Sequence, residues 1–279
     1  MRFAELRRQY HQQICQTLLR VDNGVPNIAD RASRASKEIA LSLYALLGGA
    51  GTGLISSQTL GAQFEQITRD YLQAAFALLA HLRPGEWTFS VSTDIERFEQ
   101  YKHLAELKTV LSKNPELAAT FGVDYLVTPD IVVARHPVTD TEINRIEQII
   151  DPEADSVARH TSLRAANQNQ LLLHASISCK WTIRSDRSQN VRTEALNLVR
   201  NRKGHSPHIV VVTAEPLPTR IASVALGTGD LDHVYHFALE ELKQSVAMVD
   251  SDSQQDMLNT LINGNRLRDI SDLPFDLAV

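Results

Sequence analysis

Cysteine is almost missing from this chain: Cys15 and Cys179 are the only two in 279 residues. Two isolated thiols make neither a metal motif nor a disulfide framework, so a reducing cytoplasm is the expected setting. No uninterrupted apolar run approaches the roughly 18 residues that a membrane span needs. The opening MRFAELRRQYHQQICQTLLRV carries an apolar stripe, but charges and glutamines break it, and a signal peptide is not expected. Internal repeats and low-complexity linkers are also lacking. Positive charge is in deficit, with 28 Lys and Arg against 33 Asp and Glu and a net charge of −5. That balance counts against a nonspecific nucleic-acid binder, whose footprint is basic.

The average hides a local excess. Seven basic residues lie between Lys180 and Lys203, opposed there only by Asp186 and Glu194. A cationic strip inside an acidic chain suits a protein that meets a polyanion at one cleft and stays soluble elsewhere. The strip begins in HASISCKWTIRSDR, residues 174–187. Ala175, Ile177, Cys179, Trp181 and Ile183 alternate with His174, Ser176, Ser178, Lys180 and Thr182, which is the period of a β-strand with one buried face. Its polar face is expected to turn to water.

Along the chain, residues 1–20, 36–48 and 60–82 read as helices, the third starting near Ser57. A short strand is expected within 84–94, a helix over 99–120, and a strand over 124–135 that Pro129 bends or places at an edge. Further elements are a helix at 140–150, a strand at 171–183, a helix at 190–203 and an almost wholly apolar strand at 208–215. Residues 220–226 read as another strand and 234–246 as a helix. Strands alternating with helices, one strand apolar throughout, predict an α/β sheet covered on both faces. One domain over 1–279 is expected: a helical N-terminal part to about 82, an α/β catalytic core over about 84–246, and a helical tail.

Several charged residues point inward. Asp130 follows Pro129 where a buried strand bends. In the helix at 190–203, Glu194 falls about 60° from Val191 and about 40° from Leu198, inside the apolar stripe. Glu65 sits at the rim of the apolar arc of its own helix, beside Leu72 and Phe76. A carboxylate directed inward must be paired or bind a metal. Singly each reads as a structural ion pair; together with Lys180 they read as a hard-metal site with a lysine beside it. Mg²⁺ takes carboxylate, carbonyl and water oxygens and supports phosphodiester hydrolysis, and a lysine can orient the attacking water or take its proton. Ser178 shares a strand face with Lys180. Cys179 faces away, with its main-chain carbonyl still available to a metal.

The RSDR run has its own chemistry. Arginine pairs in bidentate fashion with guanine O6 and N7, and aspartate accepts from cytosine N4. Arg184 and Arg187 could each take a guanine, with Asp186 accepting from neighbouring cytosines. That makes a reader of two adjacent G·C pairs, and a two-fold dimer would read a palindrome. The code leaves CCGG and GGCC open. A helix N-terminus with local Asp–Arg pairing is the plainer alternative.

Pro129-Asp130, then Ser178-Cys179-Lys180, then Glu194 fourteen residues after the lysine, resembles the PD-(D/E)XK nuclease superfamily. More narrowly it resembles the type II restriction endonucleases with a CCGG core, whose second carboxylate has migrated from the strand to the following helix. The likeness continues through LNLVRNRKG, PHIVVVTAEP and RDISDLP. It implies a restriction-endonuclease-like mixed β-sheet flanked by helices, and catalytic roles for Asp130, Lys180, Glu194, Ser178 and Glu65. Asp130, Glu194 and the Cys179 carbonyl would hold Mg²⁺, Ser178 joining through water, and Lys180 would position the hydrolytic water. The resemblance also implies the order CCGG, double-stranded DNA cut at GCCGGC to 5′-phosphate ends, and a homotetramer of two dimers. A cognate DNA methyltransferase is the expected functional partner. Gln58 in the minor groove and Arg220 in the major groove would read the outer pair, helped by Ser33 or Ser36. Two other readings stay open at this level: a repair or junction nuclease of the same superfamily, and a noncatalytic sequence-specific DNA-binding module. Binding alone has no use for a lysine among inward carboxylates.

Overall fold

The computed structural model describes the chain except Met1, Val123, Asp124, Pro152, Ala154 and Asp155, and except the side chains of Phe121 and of residues 185–188. In chain order the elements are α1 (Phe3–Thr17), β1 (Arg20–Asp22), β2 (Val25–Pro26), α2 (Arg34–Leu46), β3 (Gly51–Thr52), α3 (Ser57–Leu78) and β4 (Trp87–Val91). There follow α4 (His103–Ser112), α5 (Pro115–Phe121), β5 (Ile131–Arg135), α6 (Asp140–Ile143), β6 (Leu172–Lys180), α7 (Ser185–Asn201) and β7 (His208–Thr213). The chain ends with α8 (Pro218–Ala225), β8 (Val234–His236), α9 (Leu239–Ala247), α10 (Asp252–Asn263), β9 (Leu267–Asp269) and α11 (Leu273–Asp276).

A six-stranded mixed sheet in the order β4-β5-β6-β7-β8-β9 is the centre of the fold. The pairs β4–β5 and β5–β6 are antiparallel, and β6 through β9 run parallel. Both faces are covered, as an apolar strand such as β7 requires. On one face Ile131, Val133, Ala175, Ile177, Val210 and Val212 pack against the stripes of α1, α2 and α3. On the other, Val132, Leu173, Ile209 and Val211 meet Val191, Ala195 and Leu198 of α7 and Ile221 and Val224 of α8. The apparent polar face of β6 is therefore not bathed in solvent. Ser176 is buried, and Ser178 and Lys180 are half-buried. A bulge at His174 sets the alternation, since Val133 pairs with Ala175 but Ala134 with Leu173. Gln100 mends the ladder there, donating to the Leu173 carbonyl at 2.8 Å and accepting its N–H at 2.9 Å.

The two ends of the chain are pinned together. The Arg7 guanidinium of α1 makes paired bonds of 2.9 and 2.7 Å to Asp269 of β9, and of 2.9 and 2.8 Å to Glu241 of α9. Among the described residues no helix is long and apolar enough to cross a membrane.

Some elements differ from their sequence reading. Residues 220–226 are the body of α8 and not a strand: Pro218 preorganises its first turn, and Ile221, Ala222, Val224 and Ala225 share a buried arc. Only the latter part of 234–246 is helical, because Val234, Tyr235 and His236 pair in parallel with Val211, Val212 and Thr213 as a strand. The helix of 140–150 shrinks to the single turn α6, and that of 99–120 opens with a 3-10 turn at Glu99–Tyr101 and breaks before Pro115 into α4 and α5. The N-terminal third also holds a small sheet, β2-β1-β3, and the tail holds β9.

Candidate active site

Asp130 immediately precedes β5, whose antiparallel register sets Ile131 against Ile177 and so carries Asp130 to the C-terminal end of β6. Its Oδ2 there accepts the Cys179 N–H at 2.7 Å and the Lys180 ammonium at 2.8 Å. Pro129 ends the preceding loop and cannot donate, while the Asp130 carbonyl accepts the Ser92 N–H at 3.1 Å, one step beyond the Val91–Ile131 pair, which fixes the main chain that carries this side chain. Lys180 closes β6. Burial alone would lower its pKa, but Asp130, as charge and as hydrogen-bond acceptor, outweighs it, with Glu194 adding to the rise. The ammonium form is therefore the favoured one.

Glu194 stands on the inner side of α7 between the buried Val191 and Leu198, and is itself half-buried. Burial raises its carboxyl, Lys180 opposes the rise and Asp130 adds to it. Glu65 arrives from α3 on the other face of the sheet. Burial, then Asp130, push its carboxyl up to about 7 against the pull of Lys180. The four groups thus form one electrostatic unit, gathered from a loop, a strand and two helices. Ser178 lies on the same face of β6 as Lys180. The Cys179 side chain is buried in the opposite core, and burial pushes its thiol well up, so it offers no thiolate.

Beyond Lys180 the chain leaves the sheet at Trp181 and Thr182 and enters α7, with Arg184 as an N-cap that makes no side-chain cap bond. Asp186 and Arg187 fall in the first turn of α7, and their side chains lie outside the described residues. Arg184 is exposed and lines a cleft of about 780 Å³, together with Asp30, Ser57, Thr182 and Arg220. Gln58 is exposed in the first turn of α3, next to Ser57. Arg220 of α8 reaches across the cleft to pair with Asp30. The Ala32 N–H, then Arg220 and Arg184, hold the Asp30 carboxyl below its ordinary range. Ser36 is buried, its Oγ accepting the Asp30 N–H at 2.9 Å. Ser33 is half-buried and caps α2 through the Ser36 N–H.

The cationic strip divides in space. Arg192 is committed to Asp230 at 2.6 Å and to the Val224 carbonyl at the end of α8. Arg202 donates to the Val199 carbonyl, whereas Arg184 and Arg200 are exposed. Two residues that the sequence reading passed over belong to the surroundings of the site. Asp30 gives no signal in NIADRAS, because its partner is 190 residues away. Glu215 does leave one: it is a lone carboxylate in the apolar run HIVVVTAEPLP.

Residues 10–279 match the family model described as NgoMIV restriction enzyme. Over 285 aligned positions the chain is 49% identical to the type II restriction enzyme NgoMIV of Neisseria gonorrhoeae, covering 99% of both chains. Among solved structures it is similar to a complex of the restriction endonuclease PspGI with substrate DNA. That likeness has a TM-score of 0.32 and 12% identity, over 80% of this chain and 66% of the other.

Proposed function

This chain belongs to the NgoMIV restriction enzyme family and is a type II restriction endonuclease; from that premise we propose that it hydrolyses double-stranded DNA at GCCGGC with Mg²⁺, leaving 5′-phosphate ends. One observation carries the assignment of the centre. The Lys180 ammonium is hydrogen-bonded to Asp130 and electrostatically coupled to Glu194, at the end of a strand whose continuation, Thr182 to Arg184, lines a cleft that also bears Arg220.

The donor set fits a hard divalent cation. Asp130, Glu194 and the Cys179 carbonyl offer oxygen only, and Asp130 already raises the proton affinity of Glu194 and Glu65, a crowding of negative charge that a cation relieves. Among the described residues no three side chains of His, Cys, Asp and Glu could enclose a metal. Two carboxylates and a carbonyl suffice for an ion that keeps several of its waters. Bound there, Mg²⁺ would offset the charge that develops on the scissile phosphate.

The chain's own groups do the rest. Lys180 donates to the attacking water, aims it and adds positive charge beside the phosphate. Ser178 supports the site through water, and Glu65 completes its acidic wall. Arg184, Asp186 and Arg187 read the CCGG core, the arginines at guanine edges and the aspartate at cytosine N4. Arg220 reads the outer pair in the major groove with Asp30 beside it as an acceptor, and Gln58 enters the minor groove. Two reading heads make a dimer, two dimers the working tetramer, and a cognate methyltransferase protects host sites.

Digestion of plasmid DNA in Mg²⁺, followed by sequencing of the ends, tests the reading. Discrete fragments with 5′-phosphates, all ending within GCCGGC, are expected. Cleavage within another sequence, or none at all, overturns it.

A further inference from the structure

Glu215 has no part in the chemistry above, yet its side chain is wholly buried. Lys180 and Thr213 form the last register pair of β6 and β7, and beyond them the two chains separate. Side chains take over from the ladder at that point. The Thr213 hydroxyl donates to the Lys180 carbonyl at 2.7 Å and accepts the Glu215 N–H at 3.1 Å. The Glu215 carboxylate then spans the gap: Oε2 accepts the Ile183 N–H at 2.9 Å and Oε1 the Leu217 N–H at 3.2 Å. Pro216 and Pro218 have no N–H, so Leu217 supplies the one main-chain donor of that tripeptide.

Each of these two N–H groups stands next to a reading segment. Ile183 directly precedes Arg184, the N-cap of α7. Leu217 is the N-cap of α8, whose first turn carries Arg220. Burying a carboxylate is costly, and burial pushes this one up to about 7, against the pull of the two N–H groups and Arg220. An apolar side chain would fill the space without that cost. Only a group with two acceptor oxygens can hold both segments at once.

We propose that Glu215 is the positioning residue that fixes the spacing of the two DNA-reading segments, so that Arg184 and Arg220 address one duplex in register. This rests on the reading of those arginines as base contacts. Glu215→Gln keeps the shape but turns an amide NH₂ toward one of the two N–H donors, which frees one segment. Leu217→Pro leaves the carboxylate and its bond to Ile183 in place and deletes the bond to α8, together with the buried leucine side chain, whose loss bears on stability.

The test compares kcat/KM on a duplex carrying the enzyme's own site, read from sequenced digest ends, with duplexes altered at one base pair each. For E215Q the ratio of cognate to altered duplex is expected to fall about 5- to 160-fold, the range of one bidentate base contact, at the pair read by the freed segment: inner if Ile183 is released, outer if Leu217 is. For L217P the fall is expected at the outer pair alone. A loss of folded enzyme lowers all rates together and leaves the ratios unchanged, so the ratios report position and not stability. Parental ratios in L217P, or in an E215Q protein that melts cooperatively, overturn the proposal. A parent enzyme with no preference among the duplexes overturns the base-contact reading beneath it.

Discussion

At Lys180 one ammonium answers several carboxylates, and removing it tests the centre with little risk to the fold. Asp130 would still hold its 2.7 Å bond to the Cys179 N–H, so the end of β6 stays anchored when the lysine is gone. Lys180→Ala is expected to lower the cleavage rate at least about 100- to 1,000-fold, the scale for losing one preorganised donor in a charged transition state. Duplex binding measured in Ca²⁺ is expected to remain sequence-specific, and undiminished cleavage would refute the role. Asp130, Lys180 and Glu194 were legible in the sequence because each breaks a local pattern: an acid after a strand-bending proline, a lysine closing an alternating strand, a glutamate inside an apolar helical stripe. Arg192 was not. Its charge counts toward a cationic strip along the chain, and only the fold shows it spent on Asp230 and the end of α8.

At the scale of elements, the consequential boundary is where β6 gives way to α7. The strand delivers Lys180, three residues turn the chain aside, and Arg184 caps the start of α7, exposed on the cleft. Arg184→Ala is expected to cost about 1–3 kcal/mol of discrimination at an inner G·C pair. Arg200→Ala, exposed on the far turn of the same helix, should weaken all duplexes nearly equally, as a phosphate contact would. Equilibrium binding to duplexes altered at each position distinguishes the two, and equal selectivity of both variants with the parent would remove Arg184 from the reader. The strand and helix periods of β6, β7 and α3 were readable because one face of each is continuously apolar. α8 was misread because Ile221 and Val224 are β-branched and the segment is only eight residues long. β8 is three residues whose strand character comes from pairing with β7 on one side and β9 on the other, partners that local pattern cannot reveal.

At the scale of the whole molecule, a palindromic site calls for two reading heads, and two back-to-back dimers would hold two duplexes at once. If that tetramer is the active form, a plasmid with two sites is cut faster than one with a single site, and an added site-bearing oligonucleotide accelerates the single-site plasmid. Equal rates, no response to the oligonucleotide and a dimer mass by light scattering would leave a simple dimer. The arrangement of the ends bears on the birth of the enzyme and not only on its action. Arg7 is made well before its carboxylate partners, which lie 234 and 262 positions later. While the chain is still on the ribosome, α1 carries an unmatched guanidinium, and the sheet lacks the edge strand β9 that supplies Asp269. The clasp closes only once β9 has been made, so a product of this nuclease terminated before it lacks the joint that ties α1 to the sheet.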